Sequence, residues 1–355
     1  MVTPKASLYT FLLSLCLQAP AIAHKLKPAP AARDTSFVKS YDREITGRFF
    51  FSQKYTGLRV PGTANMAAFR YRPNTTLNTG LGATYRSFTL NLAYGLPGIN
   101  GDGSERGTTR YLDAQAHLYG SKVVIDLFAQ LYNGYYLAPK NFVTGFEGFY
   151  LKPDLRIRLF GGSAHYVFNN SKFSYRASLI QNEWQTRSSG TFLLGGDIFY
   201  GTVNSDSVVV PGEIAHYFPQ GNVRRIRFIN IGPGGGYAYT FVYKRHWFAT
   251  GSVTVNFPLD FVKETTYLEH KNHVSITPNF LYRLALGYNS RRWIYTASVV
   301  NSTVSLRGSY NSHAYRMNTG NYRLTLARRF SVNRKVRKVM QPVDDVLSLP
   351  QELRK

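Results

Sequence analysis

Apolar and polar side chains alternate in this chain for ten residues or more at a stretch, and that pattern limits its folds more than any other feature. Leu112, Ala114, Ala116 and Leu118 alternate with Asp113, Gln115 and His117. Leu77, Thr79, Leu81, Ala83 and Tyr85 alternate with Asn78, Gly80, Gly82, Thr84 and Arg86, and the stretch from Trp247 to Phe257 behaves the same way. A period of two places each set on one face of a β-strand. Strands in soluble proteins average about five or six residues. A tilted strand that crosses a membrane needs about 9–11, with apolar side chains toward lipid and polar ones toward a lumen. Length therefore selects an all-β, antiparallel transmembrane β-barrel.

Composition agrees. The 26 Tyr, 24 Phe and 3 Trp exclude a disordered chain. They run evenly from Tyr41 to Phe330 without a linker, which indicates one domain. No run of 18 apolar residues offers a transmembrane helix. Residues 1–23 read as a signal peptide: Lys5 precedes the apolar run Leu8 to Leu17, and Ala21-Ile22-Ala23 forms a small-residue exit. Bulky Leu15 before Cys16 argues against a lipoprotein signal. Cleavage after Ala23 removes the only cysteine, so neither a disulfide nor a Cys-ligated metal is expected. Residues 24–44 form a basic, Pro/Ala-rich leader, 45–330 the barrel and 331–355 a basic tail.

Fourteen strands are expected, Phe173–Gln181 and Asp206–Tyr217 among them; Pro211 and Gly212 interrupt the latter, and if it and a neighbour fail the count is twelve. An even number leaves both termini on the periplasmic side. Short polar links at Tyr85–Phe88, Gly120–Lys122, Asn169–Phe173, Lys244–Trp247 and Asn289–Trp293 suit periplasmic turns, and the longer connections, among them Asn133–Asp154 and Asp260–His273, suit the outer side. Trp247, Trp293, Phe88, Phe173, Tyr322 and Phe330 fall near strand ends, where aromatic girdles meet lipid headgroups.

Arg70-Tyr71-Arg72-Pro73-Asn74-Thr75-Thr76-Leu77-Asn78, Thr109-Arg110-Tyr111-Leu112-Asp113, Gly134-Tyr135-Tyr136-Leu137, Arg227-Phe228-Ile229-Asn230 and the closing Thr319-Gly320-Asn321-Tyr322-Arg323-Leu324 resemble an uncharacterised outer-membrane β-barrel family of the Bacteroidetes kind. The resemblance spans roughly residues 40 to 330. It implies a barrel of unknown function in the bacterial outer membrane, with no family catalytic residues to carry over. Phe330 is similar to the terminal aromatic that barrel-assembly machinery reads, although 25 residues follow it.

The charge of +24, from 43 Lys and Arg against 19 Asp and Glu, raises a nucleic-acid partner, which export argues against. Much of the excess sits in turns and tails, where outer-membrane lipid, lipopolysaccharide or a periplasmic partner for the tail fits better. Catalytic patterns are thin and no cofactor is expected. His270 and His273 have a ligand-like spacing without the helix or third ligand a zinc site needs. Gly232-Pro233-Gly234-Gly235-Gly236 lacks the Lys-Ser/Thr of a phosphate loop and suits a bend in a strand.

The expected lumen-lining residues are Asp113, Gln115, His117, Asp126, Arg176, Arg283 and Arg323. Asp113 and His117 share a face that Asp126 joins from the next strand. Tyr135, Tyr136, Phe142, Phe146, Phe149 and Tyr150 form either a constriction or an outer-loop aromatic cluster. Three functions follow. A channel for small solutes comes first, a structural or binding barrel with a filled lumen is the alternative, and a lipid-modifying enzyme working around His117 is third. A non-enzymatic role is expected.

Overall fold

A computed structural model describes residues 33–85, 88–96 and 103–332. The expected signal peptide, the first part of the leader and nearly all of the tail lie outside the described residues. Ten strands close into an antiparallel ring: β2 (Glu44–Val60), β3 (Phe69–Arg72), β7 (Val123–Ala138), β8 (Leu151–Val167), β10 (Ser189–Asn204), β11 (Arg225–Tyr243), β12 (Trp247–Asn256), β15 (Asn279–Asn289), β16 (Trp293–Leu306) and β17 (Tyr315–Ser331), which pairs back onto β2. Outside this ring lie β4 (Asn78–Tyr85), β5 (Phe88–Gly95), β6 (Arg110–Tyr119), β13 (Leu259–Thr265) and β14 (His270–Ile276). β4 continues β3, β13 continues β12, and β15 continues β14, with the breaks at Pro73, Pro258 and Pro278. Proline has no N–H for the ladder, so it is tolerated only where pairing is interrupted. With these pairs merged, the chain makes twelve passages.

Two of the fourteen expected strands are not strands. The segment Phe173–Gln181 turns into a short π-helix, Arg176–Ile180, and lies inside the ring. Asp206–Tyr217 becomes a loop with a 3-10 helix at Gly212–Tyr217: β10 ends at Asn204, and Pro211, which has no N–H to give a ladder, stands directly before the helix. The connection expected at Asp260–His273 shrinks to residues 266–269, since β13 and β14 extend the hairpin beyond the two prolines. The leader is also more ordered than its composition suggests: β1 (Val38–Ser40) pairs with β9 (Glu183–Gln185), apart from the main sheet.

Burial is inverted relative to a soluble protein. The outward positions include Phe49, Leu92, Phe192, Ile198, Ile231 and Leu286, all exposed. The inward positions include Thr46, Arg48, Asp126, Gln130, Asn230 and Arg283, all buried. Soluble monomers rarely expose so continuous an apolar surface. No helix among the described residues is long and apolar enough to cross a membrane, so the exposed apolar belt belongs to the strands.

Aromatics lie at its margin. Trp247, Trp293 and Phe330 are exposed at strand ends, whereas Tyr322 is exposed within β17. Phe173, expected in a girdle, is buried in the interior against Tyr175, with ring centroids 4.9 Å apart. The side chain of Phe88 lies outside the described residues. Close backbone approach explains the glycines of the third quarter: a Cβ on Gly195 would lie 1.9 Å from the Ala164 carbonyl of β8, and Gly195 itself faces Gly234 on β11. The glycine run therefore sits in a continuous strand and lets the sheet bend there.

Candidate functional site

The interior is layered. At the end reached by Val60, Ala138 and Leu306, inward side chains form an apolar layer that includes Leu58, Phe69, Leu155, Phe199, Phe228 and Met317. The connections at that end close over it. The Tyr71 hydroxyl donates to the Val209 carbonyl at 2.6 Å, and Gln220 binds the Pro61 carbonyl at 3.1 Å. Asn311 donates to Gln220 at 2.9 Å, which ties a third connection into the cap. Outside the strands, burial and the hydrogen bond to Glu269 push the Tyr310 hydroxyl up to about 12, and the same bond holds the Glu269 carboxyl below its ordinary value.

The six aromatics expected as a constriction or outer cluster divide between these layers. Tyr135 points inward and donates to the Thr56 carbonyl at 3.1 Å. Tyr136 packs on Phe149 with centroids 4.9 Å apart, Phe146 on Tyr150 at 5.3 Å, and Phe142 on Phe69 at 5.4 Å. Tyr135 and Tyr136 belong to β7 itself, because the strand runs to Ala138.

Below the apolar layer lies a polar one. His117 and Asp126 are cross-strand partners, with Nδ1 2.6 Å from Oδ1. The other oxygen of Asp126 is held by Arg283, which reaches across from β15. Asp113 accepts from Tyr132 at 2.6 Å, Gln130 at 3.2 Å and Gln115 at 3.3 Å, with Lys54 at 3.8 Å from its second oxygen. Asn256 and Asn279 donate to Asp197 at 2.8 and 3.0 Å, and Asn230 donates to Asp260 at 2.7 Å.

Five of the seven residues expected to line the lumen, Asp113, Gln115, His117, Asp126 and Arg283, meet in this layer. Arg176 does not lie on a strand; on the π-helix it contacts Asp42 at 2.5 Å and Glu183 at 3.4 Å. Residues 173–186 fill the opposite end, where Arg329 donates to the Gln181 and Glu183 carbonyls at 2.8 and 2.9 Å.

The pairing register sets His117, Asp126 and Ser163 in one row on three adjacent strands. A nucleophilic triad needs the histidine between the serine and the carboxylate. Here the carboxylate is in the middle, so His117 has no serine to activate within that row. His270 and His273 lie on β14 with an odd spacing that sends them to opposite faces. Among the described residues no cluster of three His, Cys, Asp or Glu is arranged to hold a metal ion.

The most distinctive chemistry lies to one side. Among the described residues β5 pairs only with β4, and β6 only with β7, so the sheet has two free edges facing a seam. A cavity of about 540 Å³ sits at this seam, lined by Arg48, Phe50, Asn91, Gln115, His117 and Arg323 among others. Arg48 is buried. It donates to Thr84 and to the Ile180 carbonyl at 2.9 Å, and its Nε has no partner. Arg323 lies over the Phe50 ring at 3.7 Å and reaches Asn91 at 3.3 Å, again with Nε unpartnered.

Among the described residues neither guanidinium has a carboxylate within ion-pair distance, while Asp113 and Asp126 are engaged by Lys54, His117 and Arg283. Two cations in one low-dielectric cavity without a counter-ion are costly, which makes the cavity suited to an anion. Arg323 was legible in the sequence. Arg48 was missed, although the exposed Phe49 and Phe51 that follow it set the odd positions of β2 outward and so mark Arg48 as inward-facing.

Ring closure, the outward apolar belt and the polar interior define a closed antiparallel β-barrel. The chain belongs to the family of the domain of unknown function DUF4421, which matches residues 32–330. Among curated proteins nothing matches. Among solved structures it is similar to the outer membrane protease OmpT from Escherichia coli, with 9% identity, 83% of this chain and 98% of that chain covered, and a TM-score of 0.36. The outer-membrane expressed OmpT of Vibrio cholerae has 9% identity, 81% and 97% coverage and a TM-score of 0.27. The toluene transporter TodX of P. putida has 8% identity, 82% and 91% coverage and a TM-score of 0.26. Likeness at this level establishes no shared activity.

Proposed function

We propose that this protein is an integral barrel of the bacterial outer membrane whose bore is blocked, and that it binds an amphipathic anion in the side cavity. The membrane placement is supported by the exposed apolar belt, which in water would drive aggregation. Short turns at one end and long connections at the other give the orientation, with the apolar cap outward.

The observation that carries the binding role is the pair Arg48 and Arg323, which has no carboxylate partner among the described residues. The seam favours entry from the side. Open sheet edges are tolerated at membrane depth only where they line a polar cavity, and these edges carry outward Leu90, Leu92, Leu112 and Leu118, all exposed. An alkyl chain lying along that wall would bring a carboxylate or phosphate headgroup to the guanidiniums. Arginine forks match both groups in a bidentate manner. The filled bore favours this reading over the solute channel, and the order of the His117 row disfavours an enzyme.

Isothermal titration of the protein in neutral detergent with dodecyl phosphate and with dodecanol tests it. The phosphate is expected to bind one to one, and Arg48→Gln with Arg323→Gln to weaken it by about 100-fold, roughly 1.4 kcal/mol for each tenfold. Equal binding of the alcohol, or affinity unchanged by the double substitution, would contradict the proposal.

A further inference from the structure

We infer that a second anion site lies on the outer wall of the barrel, where Arg70, Arg59 and Arg316 clamp a phosphate group of an outer-leaflet glycolipid. The three are direct cross-strand neighbours on β3, β2 and β17, because Arg59 is opposite Arg70 on one side and Arg316 on the other. All three point outward at the end that carries the long connections, within two residues of their strand ends. Like charges directly opposite one another destabilise a sheet. Three in a row form a strained arrangement unless an anion bridges them. Among the described residues no carboxylate pairs with any of them, whereas Arg156, at the same end, has Asp206.

The surface beneath the row fits a lipid rather than a free ion. A groove of about 730 Å³ begins at the arginines and runs down the wall past Phe280, Tyr282, Leu284 and Val253. Phe280, Leu284 and Val253 are 43%, 49% and 51% exposed, so an acyl chain below the headgroup has an apolar wall to lie on. The level is also right, because the row stands where strand ends meet the headgroup region. A second outward row at the same end carries Arg158, Thr202, Arg227 and Lys263 on adjacent strands, so the positive charge extends along the rim. Each basic side chain beside an anionic surface adds attraction, and guanidinium forks add geometric fit to phosphate. The inference rests on the outer-membrane placement and is independent of the side cavity.

The experiment is titration of the full-length protein in neutral detergent with diphosphorylated lipid A, and separately with inorganic phosphate, at low and high salt. Tight, salt-sensitive binding of lipid A is expected, weakened at least 30-fold in Arg59→Gln/Arg70→Gln/Arg316→Gln and unchanged in Arg307→Gln. Arg59→Gln alone, the middle of the row, is expected to lose at least threefold, which keeps the test valid if the triple variant folds poorly. Unchanged affinity in both Arg59 variants overturns the inference, as does binding of inorganic phosphate with no added affinity for lipid A. A protein that stays soluble without detergent would instead sink the membrane placement, a failure distinct from loss of lipid A binding.

Discussion

Arg283→Leu is expected to destabilise the folded barrel by about 3–5 kcal/mol, the usual cost of leaving one member of a buried ion pair uncompensated. Asp126 and Arg283 are both fully buried, and their bond joins β7 to β15 across the interior rather than between neighbouring strands. After the substitution Asp126 keeps only His117, which is too little to replace a guanidinium. Folded stabilities are about 5–15 kcal/mol, so the change removes a large share. The double variant Asp126→Leu/Arg283→Leu should recover most of the loss, because apolar replacement of a whole buried pair is often neutral. Urea unfolding in detergent micelles, followed by heat-modifiable gel migration, measures both. A single-variant loss below about 1 kcal/mol would place water beside the pair and remove the premise that this layer is dry.

Phe228→Ala should cost about 3–5 kcal/mol, the range for emptying a buried aromatic site. Phe228 is 1% exposed, faces Gly201 across the β10–β11 pair and belongs to the apolar layer beneath the cap of long connections. In a hydrated bore the same ring would be half solvated and its removal nearly neutral. The measurement is again a urea midpoint. A small loss would mean that the layer is not packed and that the capped half of the barrel admits water.

Much of the wall was legible from the alternation, which assigned inward and outward faces from one pleat. Asp113, His117 and Asp126 were found together for that reason: two share a face and the third stands opposite in the next strand. The errors have physical causes. Phe173, Tyr175, Ala177 and Leu179 alternate with polar or charged residues just as a strand does, yet tertiary space inside the ring bends that segment into a π-helix. The stretch Asp260–His273, expected as a connection, instead pairs as β13 and β14, so the hairpin continues beyond the breaks at Pro258 and Pro278. Partners across the bore, such as Arg283 for Asp126, depend on strand order around the ring, which no local pattern encodes. The filling of the lumen was invisible for the same reason.

Planar-bilayer conductance of the refolded protein addresses the central claim most directly. A barrel capped by an apolar layer at one end and filled by residues 173–186 at the other should insert and yet show no stable ohmic steps. Regular, long-lived open-channel steps from wild-type protein would contradict the blocked bore and restore the channel.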